Sequence, residues 1–133
     1  MNVDSYAKIP QYHLASVDRY IGDVPFSEDV SRVCYDAGTV AYDCIQFAVY
    51  MDACEIYLLG VDFSYGKIGQ VGNHFYKDEC KRQNPSSLDL CLRTYQAAKK
   101  YADAHGIKIY NATCGGKLEV FPRVDFDSLF PHE

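Results

Sequence analysis

A nearly continuous apolar run, Glu55-Ile-Tyr-Leu-Leu-Gly60, lies between two stretches of helical periodicity, and this arrangement restricts the fold more than any other feature. The run is too short for a helix, and its lack of alternation predicts a parallel strand covered on both faces. Upstream, Val40, Cys44, Phe47, Ala48 and Met51 recur at helical spacing over 39–53, with a second stripe of Ala41, Ile45 and Val49. Thr39 suits the N-cap, where a hydroxyl accepts from an unpaired N–H of the first turn. Downstream, Asn84-Pro85 is a sharp helix start. Leu88, Cys91, Leu92, Tyr95, Ala98 and Ala102 then mark one face, and Gly106 ends the helix as a left-handed cap.

Three further segments read as strands: Val33-Cys-Tyr35, Ile107-Lys-Ile-Tyr110 and Leu118-Glu-Val-Phe121. The resulting order of strand, helix, strand, helix, strand predicts an α/β fold, a partial parallel sheet flanked by helices with right-handed crossovers. It occupies 32–133. Residues 1–31 have weak periodicity and read as a peripheral lead-in. So few central strands suggest half of a fold, completed by further sequence or by a partner chain.

The 133 residues suffice for one domain. A net charge of -5, with scattered basic residues, argues against a nucleic-acid partner, whose binding depends on Lys and Arg neutralising phosphates. No apolar run reaches the roughly 20 residues of a membrane-spanning helix, and the N-terminus lacks the pattern of a secretory signal. The six cysteines form no Cys-x-x-Cys pair and have no His at zinc-ligand spacing. They read as reduced thiols of a cytoplasmic protein, with no metal site.

Ligands of open parallel sheets bind outside the carboxyl ends of the strands, and here the residue types change at those ends. Asp36, Gly38 and Thr39 follow the first strand, Asp62, Ser64 and Tyr65 the second, and Asn111 and Thr113 the third. If the strands are parallel neighbours, these clusters share one rim, and the first helix aims its N–H groups there, which favours an anion. Turn and cap chemistry accounts equally well for any one of them. The long connection over 61–83 reads as a functional loop. Its Gly66-x-x-Gly69-x-x-Gly72 spacing is not the dinucleotide fingerprint and reads as loop flexibility. His74, within this loop, suits a general acid or base near neutral pH.

Gly38-Thr39-Val40, Glu55-Ile-Tyr-Leu-Leu-Gly-Val-Asp-Phe63, Asn73-His-Phe-Tyr76, Ile107-Lys-Ile-Tyr-Asn-Ala-Thr113 and Gly116-Lys-Leu-Glu-Val-Phe121 together resemble the 6-hydroxymethylpterin diphosphokinase-like domain. More distantly they resemble the C-terminal part of bacterial lipooligosaccharide sialyltransferases. The resemblance spans about 32–130 and implies the C-terminal half of a Rossmann-like fold that handles nucleotides in surface-glycan (polysaccharide) biosynthesis. It implies that Thr39 touches the nucleotide sugar and that Tyr65 steadies the leaving phosphate. His74 matches a family His, whereas the sialyltransferase base is a His where this chain has Asp78, which puts sialyl transfer in doubt. The N-terminal Gly-x-Gly-Pro-Ser-Leu type loop of both families has no counterpart here.

Three readings follow. One is a transferase-like module, incomplete or inactive alone, that binds a nucleotide or nucleotide sugar as a glycosyltransferase does. His74 or Asp78 is then the base, and Gly38, Thr39, Asp62, Ser64, Tyr65, Asn111 and Thr113 line the phosphate pocket. The second is an ATP-dependent pyrophosphokinase-like domain in which Asp62 helps to hold Mg²⁺. The third is a non-catalytic assembly domain whose exposed sheet edge a second copy covers as a homodimer.

Overall fold

Alternation of strands and helices is what the chain adopts in a computed structural model that describes residues 13–17, 22–63 and 85–130. In chain order the elements are β1 (Leu14–Ser16), β2 (Cys34–Asp36), α1 (Val40–Tyr50), β3 (Glu55–Leu58), α2 (Pro85–His105) and β4 (Lys108–Asn111), then a 3-10 turn at Asp127–Leu129. The fold is α/β with small parallel sheets. β3 and β4 pair in parallel, with Glu55 opposite Lys108 and Leu58 opposite Asn111, and α2 lies in their connection. Among the described residues no helix is long and apolar enough to cross a membrane.

The expected single sheet is not what forms among the described residues: the strands make two separate pairs, β1–β2 and β3–β4. Hydrogen-bond direction explains the division. The N–H of Cys34 donates to His13 and the carbonyl of Asp36 accepts from Val17, so these two residues face β1. Tyr35 between them faces the opposite edge, where another strand would add. There the side chain of Gln46 takes both its N–H (3.1 Å) and its carbonyl (2.9 Å). The 1–31 segment, expected to be peripheral, supplies β1 and the fully buried Val30.

Both helices end in the same way. Gly106 is left-handed (φ 70°), and Ile107 N–H donates back to Ala102 at 2.9 Å, satisfying a last-turn carbonyl. At the end of α1 the left-handed residue is Asp52 (φ 61°), and Ala53 N–H reaches Ala48 at 3.0 Å. α2 begins at the proline expected to open it, and Asn84 lies outside the described residues.

The core gathers Tyr42, Ile45, Leu58, Tyr95, Ile109, Leu118 and Phe121 from both helices, β3, β4 and the C-terminal segment. Burying such side chains stabilises the fold by roughly 1.5–3 kcal/mol each, which is why these aromatic residues organise the packing. Two expected stripes need correction. On α1 the residues turned inward are Tyr42, Ile45 and Gln46, while Val40 and Met51 are 74% and 71% exposed and Cys44 is exposed. A polar Gln lies in the buried face because its amide is fully engaged, which hydrophobic periodicity does not register. On α2, Leu90 and Thr94 are buried and Leu92 lies at the surface.

Leu118–Phe121, expected as a strand, forms none. Leu118 and Phe121 instead enter the core, and the chain pairs with β4 through a parallel bridge between Asn111 and Arg123. In that bridge Asn111 N–H donates to Pro122 and Val124 N–H donates to Asn111. The pairing cannot continue toward Ile109, because Pro122 has no N–H to give.

Candidate functional site

The carboxyl ends of β3 and β4 are tied together by side chains. Thr113 Oγ1 accepts from Val61 N–H at 3.0 Å, and Ala112 N–H donates to Leu58 at 2.8 Å. The Asp62 carbonyl accepts from Lys117 N–H at 2.6 Å, fastening the end of β3 to the 113–117 turn. That turn contains Gly115 and Gly116 with φ of 72° and 79°. Gly116 is required by space as well, because a Cβ there would lie 2.6 Å from the Asp62 carbonyl oxygen.

Arg123 holds the turn from below. Its guanidinium donates to the carbonyls of Thr113, Gly115 and Gly116 and to Glu119. A planar fork with five N–H groups suits such a cluster of acceptors. Asp62 and Lys117 stand exposed at this rim.

Gly38 and Thr39 lie at the entrance to α1, against α2. The Gly38 carbonyl accepts from the Cys91 thiol at 3.3 Å, and Thr39 Oγ1 is 3.2 Å from the Tyr95 hydroxyl. Thr39 occupies the N-cap position with extended backbone, yet its side chain makes no cap hydrogen bond and turns to Tyr95 instead. Tyr95 connects the two regions. Its ring packs at nearly right angles to Phe63, next to Asp62, and to Phe121, with ring centroids 6.1 Å and 6.0 Å apart.

The expected site residues therefore divide. Asp62 and Thr113 share the β3–β4 rim; Gly38 and Thr39 sit at the α1 entrance, linked to that rim through Tyr95. Asn111 is fully buried and its amide is used within the fold, donating to Leu118 and accepting from Thr113 N–H. Ser64, Tyr65, His74, Asp78 and the three loop glycines lie outside the described residues. Among the described residues no cluster of His, Cys, Asp and Glu is suited to a metal ion.

Sequence reasoning passed over Asp43, in the first turn of α1. Burial and then the nearby charge of Asp36 push its carboxyl up to about 6. Its Oδ1 is sealed from water with no hydrogen-bond partner among the described residues. Two carboxyl groups thus crowd the start of α1, and their charge opposes the anion that the helix end alone would attract. The signal was legible as two aspartates flanking a predicted helix start. Lys117 and Arg123 were also passed over, because nothing in their spacing distinguishes them from surface cations.

No protein-family model matches the chain, and neither a curated protein nor a solved structure matches it.

Proposed function

We propose that the chain is a nucleotide- or nucleotide-sugar-binding, transferase-like module of Rossmann-like type, and that its ligand sits at the carboxyl ends of β3 and β4. The observation that carries this reading is the exposed Asp62 pinned against the Gly115–Gly116 turn at the end of a parallel strand–helix–strand unit. Open α/β sheets bind ligands outside such strand ends. An exposed carboxylate there accepts hydrogen bonds from ribose or sugar hydroxyls, Lys117 supplies a cation for phosphate, and glycines let a ligand approach the backbone.

The crowding of Asp36 and Asp43 favours this end of the sheet over the start of α1 for the phosphates. Thr39 then serves to position Tyr95 and Phe63 beneath Asp62.

Calorimetry with CMP, UDP and GDP and their sugars tests the reading. Binding at millimolar ligand that weakens at least tenfold in Asp62→Ala supports it. No heat with any of them, or binding indifferent to Asp62→Ala, overturns it. Binding of ATP that requires Mg²⁺ and is lost in Asp62→Asn would replace it with the pyrophosphokinase-like alternative.

A further inference from the structure

Alternation along β3 and β4 separates their side chains onto two faces. Leu58, Ile109 and Asn111 are buried on one, while Glu55, Tyr57, Lys108 and Tyr110 lie on the other. On this outer face Tyr57 is 42% exposed, and Leu59, next in the alternation, is 60% exposed. The sequence predicted that β3 would be covered on both sides. Parallel sheets are found almost always with both faces covered, so this face, left exposed at Tyr57 and Leu59 among the described residues, calls for an occupant.

Its chemistry identifies one. Tyr57 and Tyr110 are partners in the register, and their rings stack at 5.2 Å with planes 21° apart. One rung earlier Glu55 and Lys108 are partners, 3.8 Å apart. The face is thus an apolar aromatic pair flanked by one charge of each sign, side by side across the strands. A two-fold axis running along the strands, between β3 and β4, would carry β3 of one copy over β4 of the other. Each Glu55 would then face the other copy's Lys108, and each Tyr57 the other copy's Tyr110. Both ion pairs and the ring contacts are satisfied by that single operation, as a self-complementary dimer face requires.

The geometry points to a second copy of this chain as the cover, forming a face-to-face homodimer through β3 and β4. A face two short strands wide falls below the roughly 800 Å² per partner of a standard stable interface. The association is therefore weak and concentration-dependent.

Sedimentation velocity over a rising concentration series tests this with two charge reversals. Glu55→Lys gives a chain with two lysines on the face, and Lys108→Glu gives one with two glutamates. Each alone sets like charges against each other across the axis and should lower the association constant at least about tenfold. An equimolar mixture places lysines over glutamates at both positions and should restore dimers to the parent level. Glu55 and Lys108 are 46% and 63% exposed, so both variants should fold, and their thermal melts by circular dichroism show it. If one does not, Tyr57→Ser, which removes the central aromatic contact, takes its place and should also weaken association. A parent chain that stays monomeric to about 1 mM, a dimer untouched by either reversal, or a mixture that remains monomeric overturns the proposal. A face shielded by another part of the same chain gives the first of these results.

Discussion

Gln46 holds both backbone groups of Tyr35, its Oε1 accepting from the N–H at 3.1 Å and its Nε2 donating to the carbonyl at 2.9 Å. The same Oε1 also accepts from Ser27 N–H at 3.1 Å. One fully buried side chain thus closes the edge of β2 and fastens the 24–27 segment to α1. Gln46→Leu keeps the approximate volume but leaves these buried groups unpaired, at roughly 1–3 kcal/mol for each one that water cannot reach. We expect a loss of about 3 kcal/mol, read from urea unfolding. A loss below about 1 kcal/mol would mean that β2 is held chiefly by β1.

The same residue shows how far the sequence could be read. The strand–helix–strand unit from β3 to β4 was legible because its signals are local: an apolar run, a proline at a helix start, a glycine at a helix end. The residues at the strand ends were legible as types, and Thr113 accepts from the N–H of Val61, the neighbour of Asp62. The division into two sheets was not, because it depends on a glutamine amide imitating a neighbouring strand, a contact between residues 35 and 46 that periodicity scores as a polar interruption. Likewise Thr39 was readable as an N-cap by position, whereas the partner of its hydroxyl, Tyr95, is 56 residues away. Leu118–Phe121 has strand composition, but Pro122 and the burial of Phe121 draw it out of the ladder.

Asp43 gives the fold a pH dependence of unusual sign. Its carboxyl is raised from 3.8 to about 6 by burial and by Asp36. A raised acid binds its proton more tightly in the folded state, so the ionised form opposes folding. Stability should therefore fall as pH rises from about 4 to 6 and then level. Asp43→Asn removes the charge and should flatten that part of the profile. At pH 7.5 it should gain roughly 1 kcal/mol, a figure reduced for solvent screening of a partly exposed group, and at pH 4 almost nothing. Equal effects of the substitution at both pH values would show that the charge is not the cause.

Asp52 occupies a position that favours glycine. It is the left-handed residue after α1 (φ 61°), with its neighbours' hydrogen bonds arranged around that conformation. Asp tolerates it better than most side chains, but glycine adopts it without steric cost. Asp52→Gly should raise stability by roughly 0.5–1 kcal/mol, visible as a higher melting temperature. A decrease would show that the Asp52 side chain contributes more to the cap than the backbone strain costs.

The thiols should separate by environment. Cys34 is buried, and burial followed by the charge of Asp43 pushes it up to about 11; burial also raises Cys91. Since the thiolate is the reactive form, both should resist alkylation in the folded protein at pH 8. Cys44, Cys54 and Cys114 are exposed and free and should react within minutes. Residue-resolved mass spectrometry after iodoacetamide treatment distinguishes them. Labelling of Cys34 at the rate of Cys114 would mean that β2 opens readily.

Two adjacent glycines separate conformational strain from steric exclusion at the proposed ligand rim. Gly115 and Gly116 share the left-handed conformation, yet a Cβ on Gly115 meets nothing within 4 Å, whereas one on Gly116 would lie 2.6 Å from the Asp62 carbonyl oxygen. Gly115→Ala should therefore cost only the left-handed penalty, about 1 kcal/mol. Gly116→Ala carries the same penalty and must also displace the Asp62 backbone, for a total of roughly 3 kcal/mol. Because Asp62 moves only in the second variant, nucleotide affinity should fall several-fold in Gly116→Ala and stay near the parent value in Gly115→Ala. Urea unfolding and calorimetry on the pair measure both quantities. Equal destabilisation would show that contact with Asp62 is not what reserves position 116 for glycine. Unchanged nucleotide binding in Gly116→Ala, despite the larger loss of stability, would place the ligand away from Asp62.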